Sequence, residues 1–201
     1  MSFRSSSLSS EEYHGGAHRF EHWYRDNTVY FITARCRDRT PAFRSKEAKA
    51  ILWDRADFYS AKYGFTPFVR SLMDNHYHWL GYLKIGENLG PLMRHIHGSV
   101  ARLVNDQLLV RLKPFWYDTG KQGYFDGCIR DEGQCRCAYR YVLWQCKRHG
   151  ICADWRDYPH TRVNIELDVA VKRGLEKNAF MEGAEYQRYA RERRLKYRYY
   201  P

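Results

Sequence analysis

The chain predicts an α+β fold: a ferredoxin-like (RRM-like) antiparallel sheet of order β-α-β-β-α-β with an additional C-terminal helix. Short runs rich in β-branched and aromatic residues alternate with longer segments whose apolar residues recur at helical spacing. Asp74-Asn75 is a turn signal that joins two adjacent strand-like runs into a hairpin. Two helical segments open on good capping residues, Ser45 and Asp131, and close on Gly64 and Gly150.

Taken in order, residues 1–17 are polar and read as a loose leader. Thr28–Cys36 is the first strand, followed by a polar connection, Arg37–Arg44, that contains Pro41. The first helix runs from Ser45 to Tyr63, with Ala48, Ile51, Leu52, Ala56 and Tyr59 at helical spacing. Phe65–Met73 and His76–Leu83 are the second and third strands. A second helix spans Leu89–Gln107 with a buried stripe of Leu89, Met93, Ile96, Val100 and Leu103, which leaves Arg94, His97 and Arg102 outside the stripe. Tyr124–Ile129 is the fourth strand, Glu132–His149 the third helix and Trp155–Arg162 a loop. Val169–Asn178 is a short helix, and a basic tail follows at Arg188–Pro201.

A chain of 201 residues is one domain's worth, and its formal charge of +11 favours a polyanionic partner. Aromatic residues make up 16%, which suits stacking on unpaired bases. No apolar run approaches the roughly 18 residues of a membrane span, and the Ser-rich start lacks a secretory core. The expected location is therefore cytoplasmic, with reduced thiols. Five of the six cysteines fall between positions 128 and 152, yet no C-x-x-C pair occurs, and structural zinc is not expected.

His76 and His78 carry the sharpest chemical signal. Residues i and i+2 of a strand share a face, so two imidazoles stand close enough to hold one metal, and Tyr77 turns away. Tyr141 and Gln145 are four residues apart and share a helix face, which offers a nucleophile and an amide-oxygen ligand together. A tyrosine hydroxyl with a pKa near 10 needs such help to attack. Each feature alone also fits an ordinary role, a hydrogen-bonded histidine pair or a core tyrosine. Arg130, Arg140 and Arg148 are candidate phosphate contacts by their nearness in sequence, with Arg94 and Arg102 as further DNA-contact candidates.

Residues 65–83 (FTPFVRSLMDNHYHWLGYL) resemble the HUH motif of single-tyrosine transposases, in which two histidines flank a hydrophobic residue. Residues 124–150 resemble the nucleophile block of the REP-associated tyrosine transposases: Ile129-Arg130-Asp131 leads into a helix, and Tyr141 takes the nucleophile's place. The resemblance covers residues 18–162. The middle HUH residue, usually aliphatic, is here Tyr77, and Gln145-Cys146 stand where REP-associated members carry Asn-Pro. Gln there resembles the insertion-sequence branch, in which a Gln completes the metal site. The chain is expected to divide into a leader (1–17), the catalytic domain that the resemblance implies (18–162), and a helical basic tail (163–201) that the resemblance does not cover. The resemblance implies metal-dependent nicking and joining of single-stranded DNA beside hairpins, in a bacterial nucleoid, through a 5′-phosphotyrosine. His76, His78 and Gln145 would hold Mg²⁺ or Mn²⁺; the insertion-sequence branch pairs as a homodimer and the REP-associated branch can act as a monomer, and the sequence leaves both open. Two other classes compete: a non-catalytic nucleic-acid-binding module on the same sheet, and a His-based metallohydrolase that uses water and forms no covalent adduct.

Overall fold

The computed structural model describes residues 24–117 and 123–180, so the expected leader and the basic tail lie outside the described residues. β1 (Thr28–Arg35), β2 (Phe65–Leu72), β3 (His76–Leu83), β4 (Phe125–Cys128) and β5 (Thr161–Val163) form one sheet of order β4-β1-β3-β2-β5 with every neighbour antiparallel. The first four strands and the helices α1 (Lys46–Tyr63) and α2 (Leu89–Asn105) have the ferredoxin-like arrangement. The Ser45 side chain caps α1 by accepting from the Ala48 amide at 3.0 Å, and Gly64 ends it in the left-handed conformation at φ 73°.

α1 and α2 cover one face of the sheet. Tyr30 and Ile32 of β1 and Tyr77, Trp79 and Leu83 of β3 pack there against Leu52 and Trp53 of α1 and Leu92, Ile96 and Val100 of α2. The opposite face is covered by α3 (Glu132–Leu143) and α5 (Leu167–Glu176). Cys135, Tyr139 and Val142 of α3 and Ala170 and Val171 of α5 meet Val29, Phe68, Val69, Leu80 and Tyr82 of the sheet. Full burial of a large apolar side chain contributes about 1.5–3 kcal/mol, so both layers stabilise the strand register that the site needs. The β2–β3 hairpin tip is held by Lys49, whose Nζ reaches Asp74 Oδ1 at 2.6 Å, and by the Phe43 amide donating to the Asp74 carbonyl at 2.8 Å.

Four sequence expectations change. The third helix is not continuous to His149: Trp144, at φ −95° and ψ 18°, breaks it, and a separate turn, α4 (Gln145–Arg148), follows. The segment expected as loop after Trp155 contains β5, whose three residues are too few for an alternation pattern to show. β5 adds to β2 by pairing Val163 with Val69 and Thr161 with Ser71. Arg162 lies over the Trp53 ring at 4.2 Å and meets Asp57 at 3.1 Å. His97 is buried rather than turned to solvent, because α2 packs on the sheet along one side and on the segment around Trp116 along another. Its ring stacks on Trp116 at 4.1 Å and its Nε2 bonds the Tyr77 hydroxyl at 2.7 Å; Val104 takes the buried place expected of Leu103.

Gly81 sits where β3 passes the bulge of β2 between Pro67 and Val69. A Cβ there would stand 2.7 Å from the Thr66 carbonyl oxygen and 2.9 Å from the Pro67 Cα, backbone that cannot swing aside. Gly81→Ala is expected to destabilise the protein by about 1–3 kcal/mol, the usual cost of overpacking. Urea unfolding checks this, and an unchanged midpoint would contradict the close approach.

Candidate active site

Strand alternation places the site. Tyr77 and Trp79 point into the α1/α2 core, so His76, His78 and Leu80 face the α3 side. Register sets His76 opposite Arg35 and His78 opposite Thr33 on β1. The two imidazole centroids are 5.1 Å apart at 78°. His78 stacks on Phe31 at 5.9 Å and 17° and takes the edge of the Tyr141 ring at 5.1 Å. The Arg148 guanidinium lies over the Tyr141 ring at 4.7 Å, yet 36% of Tyr141 stays exposed, so the ring is both fixed and reachable.

Gln145 is almost fully buried just past the helix break. Its Nε2 donates to the Tyr141 carbonyl at 2.8 Å, so the side chain caps the end of α3 and turns its oxygen towards His76. Asp131 caps the other end of α3, accepting from the Gln134 amide at 2.7 Å; that backbone bond and the neighbouring Arg130 guanidinium hold its carboxyl below the usual range. Gly150 closes α4 at φ 67°, and the Ile151 amide returns to the Cys146 carbonyl at 2.8 Å.

Burial keeps the histidines neutral. Desolvation, reinforced by His149, pushes His76 down to about 4, against a hydrogen bond with Gln145 that acts the other way. Desolvation, then the neighbouring His76, His149 and Arg148, pushes His78 down to about 3. Neutral imidazole is the form that ligates a cation. The His78 Nδ1 is buried without a hydrogen-bond partner, a cost that a ligand at the site would offset. Two neutral rings and an amide oxygen fit a divalent cation that keeps open positions for substrate oxygens. Among the described residues no cluster of three or more His, Cys, Asp or Glu side chains makes a closed metal site.

The structure thus brings together His76, His78, Tyr141, Gln145 and Arg148, from β3, α3 and α4. It does not bring the other four candidate arginines to them. Arg130 pairs with Asp131 at 2.8 Å at the start of α3, about 16 Å along the helix from Tyr141. Arg140 is exposed on α3. Arg94 and Arg102 are exposed on α2, which covers the opposite face of the sheet. Sequence reasoning missed Phe31, Asn75 and His149. The His149 ring lies 4.8 Å from that of His76. Its position four residues after Gln145 repeats the interval that separates Gln145 from Tyr141. Asn75, read only as a turn residue, holds His76 Nδ1 on its Oδ1 at 2.6 Å.

His97 is also held low, at about 3, by burial alone. All three histidines have folded values below the ordinary 6.5, so the unfolded chain takes up protons that the folded one refuses. Stability is full above about pH 6.5 and falls as the pH drops towards 4 and then 3, by at most about 1.4 kcal/mol per pH unit for each ring. Urea unfolding of the metal-free protein at pH 7, 5.5 and 4.5 measures the slope, and His97→Gln should flatten it. A pH-independent stability over that range would show the rings are not held neutral.

No protein-family model and no curated protein matches the sequence. Among solved structures, a REP-associated tyrosine transposase bound to a REP hairpin aligns with a TM-score of 0.58 and 18% identity, over 71% of this chain and 80% of that one. A candidate transposase from Deinococcus radiodurans R1 aligns with a TM-score of 0.42 and 12% identity, over 57% of this chain and 87% of that one. The α+β sheet with its added helix α3 is the fold of the REP-associated tyrosine transposase.

Proposed function

We propose that this chain nicks and rejoins single-stranded DNA beside hairpins, with Tyr141 as the nucleophile. The observation that carries the reading is the meeting of Tyr141 and Gln145 with His76 and His78 on one sheet face, from segments 63 residues or more apart in sequence. The structural neighbour's bound REP hairpin supports the substrate class. The segment 18–162 is the catalytic domain in this reading.

His76, His78 and the Gln145 oxygen would hold Mg²⁺ or Mn²⁺, which when bound polarises the scissile phosphate and offsets its growing charge. The chain's own residues supply the rest. The Tyr141 hydroxyl attacks phosphorus, a Tyr–O–P bond forms, the P–O3′ bond breaks, and the hydroxyl proton ends on the departing 3′ oxygen. Phe31 and His78 hold the tyrosine ring at one side and Arg148 at the other, which limits its motion before attack. Arg148 and Arg35 flank the histidines with positive charge suited to a phosphodiester. One phosphodiester replaces another, so the step is close to energy-neutral and reverses when a 3′-OH attacks the phosphotyrosine.

Incubation with hairpin-bearing single-stranded oligonucleotides and Mn²⁺, followed by mass analysis, should reveal a covalent adduct on Tyr141. Tyr141→Phe keeps the ring and its packing and should form no adduct while still binding the hairpin. Binding without any adduct in the unaltered protein would support the non-catalytic module, and cleavage without an adduct the water-using hydrolase.

Gln145→Ala separates two roles of one side chain. Loss of a ligand weakens the metal site without removing it, because two imidazoles remain, and excess Mn²⁺ should restore part of the activity. A metal dependence equal to that of the unaltered protein would leave Gln145 only its bond to the Tyr141 carbonyl.

A further inference from the structure

Asn75 stands between the β2–β3 turn and the first histidine of the site. Its Nδ2 donates to the Arg39 backbone carbonyl at 2.9 Å, and its Oδ1 lies 2.6 Å from His76 Nδ1. A carbonyl oxygen can only accept, so the amide has one orientation. The flipped amide would set two carbonyl oxygens against each other and lose the bond to Arg39. With Oδ1 facing His76, the hydrogen between them belongs to Nδ1. A neutral imidazole carries one N–H, and the short contact with Asn75 claims it for Nδ1 over the Gln145 side chain, which also bonds His76; Nε2 then keeps its lone pair.

The backbone that presents the Arg39 carbonyl is held in a demanding conformation. Asp38 and Arg39, neither of them glycine, have φ values of 53° and 55° in the left-handed region. Such residues persist only where the surroundings over-determine them. Here the Cys36 amide donates to the Asn75 carbonyl at 2.7 Å, the Phe43 amide to the Asp74 carbonyl at 2.8 Å, and the Arg37 amide to the Phe115 carbonyl at 2.9 Å. The connection after β1 is therefore fastened on both sides of the left-handed pair, two of these bonds reaching the same hairpin tip.

We infer that Asn75 is a positioning residue that fixes His76 as its Nδ1–H tautomer and so presents the Nε2 lone pair for a metal ion. The last step rests on the metal reading given above; the tautomer does not. A ligating histidine whose second nitrogen is held by an acceptor is more basic and better oriented than a free one. The chain thus achieves with a side-chain amide, itself aimed by a strained turn, what a carboxylate partner does at other metal sites.

Two variants separate positioning from a merely structural tie. Asn75→Ala removes both hydrogen bonds. Asn75→Asp loses the bond to the Arg39 carbonyl but keeps an acceptor for His76 Nδ1. Nitrogen-15 NMR of histidine-labelled, metal-free protein reads the tautomer of His76 directly. The unaltered protein and Asn75→Asp should show Nδ1–H, and Asn75→Ala a shift towards Nε2–H. Mn²⁺ affinity, followed by electron paramagnetic resonance without DNA, should fall roughly 10- to 100-fold in Asn75→Ala and be retained in Asn75→Asp. An Nε2–H tautomer in the unaltered protein overturns the inference, as does identical behaviour of the two folded variants. If the unaltered protein binds no Mn²⁺, the metal reading fails while the NMR result still decides the role of Asn75.

Discussion

Tyr77 and Trp79 stack at 4.3 Å inside the α1/α2 core, and that contact decides which way the histidines point. Side chains of a strand alternate with a period of two, so β3 can bury Tyr77 and Trp79 only by turning His76 and His78 to the other face. A slip of one residue would put two imidazoles in the apolar core and two aromatic rings against α3. Both outcomes cost burial energy, which makes the register firm. Tyr77 is fastened further by its hydroxyl bond to His97, itself clamped on Trp116, so the support for the site runs from β3 through α2 to the segment that returns to β1.

The second half of the site depends on an end of a helix rather than its middle. α3 brings Tyr141 to the sheet in its last turn, and the break at Trp144 changes direction before Gln145. The carbonyls at a helix end need partners, and Gln145 supplies one by bonding back to Tyr141. That bond commits the amide nitrogen and so sets where the oxygen goes. Tyr141 and Gln145 are coupled through the backbone of one residue, so a change that loosens the helix end would disturb both.

Much of this was legible in the sequence because it is local and periodic. The alternation of HYHWLGYL, the Asp74-Asn75 turn, the Ser45 and Asp131 caps and the spacing of Tyr141 from Gln145 are each written within a few residues. What was not legible depends on partners far along the chain. β5 exists because Arg162 and Thr161 find β2 and α1. His97 is buried because Trp116 covers it, and a helical stripe calculated from α2 alone cannot include that second contact surface. The role of Asn75 depends on a carbonyl in a turn 36 residues earlier, aimed by two left-handed residues that no composition rule would place there. The candidate DNA-contact arginines divided for the same reason. Arg148 reaches Tyr141 from seven residues on, past the break at Trp144, and Arg94 and Arg102 belong to a helix on the far face.

Charge explains why the site is built from neutral donors. His76 and His78 are held uncharged by burial, and Gln145 carries no charge at all. Arg148 and Arg35 stand beside them. A divalent cation placed among neutral rings and guanidinium groups gains ligand bonds but little charge compensation. A phosphodiester brings the missing negative charge, and its oxygens can occupy the positions that two imidazoles and one amide leave open. Under the proposed function, metal and substrate therefore assist each other's binding, and by linkage the assistance is equal in both directions. Carboxylate ligands would hold the cation more strongly before substrate arrives and would repel the phosphate that must follow it. In that reading, imidazole and amide ligands trade resting metal affinity for an attractive field where Tyr141 would meet an anion.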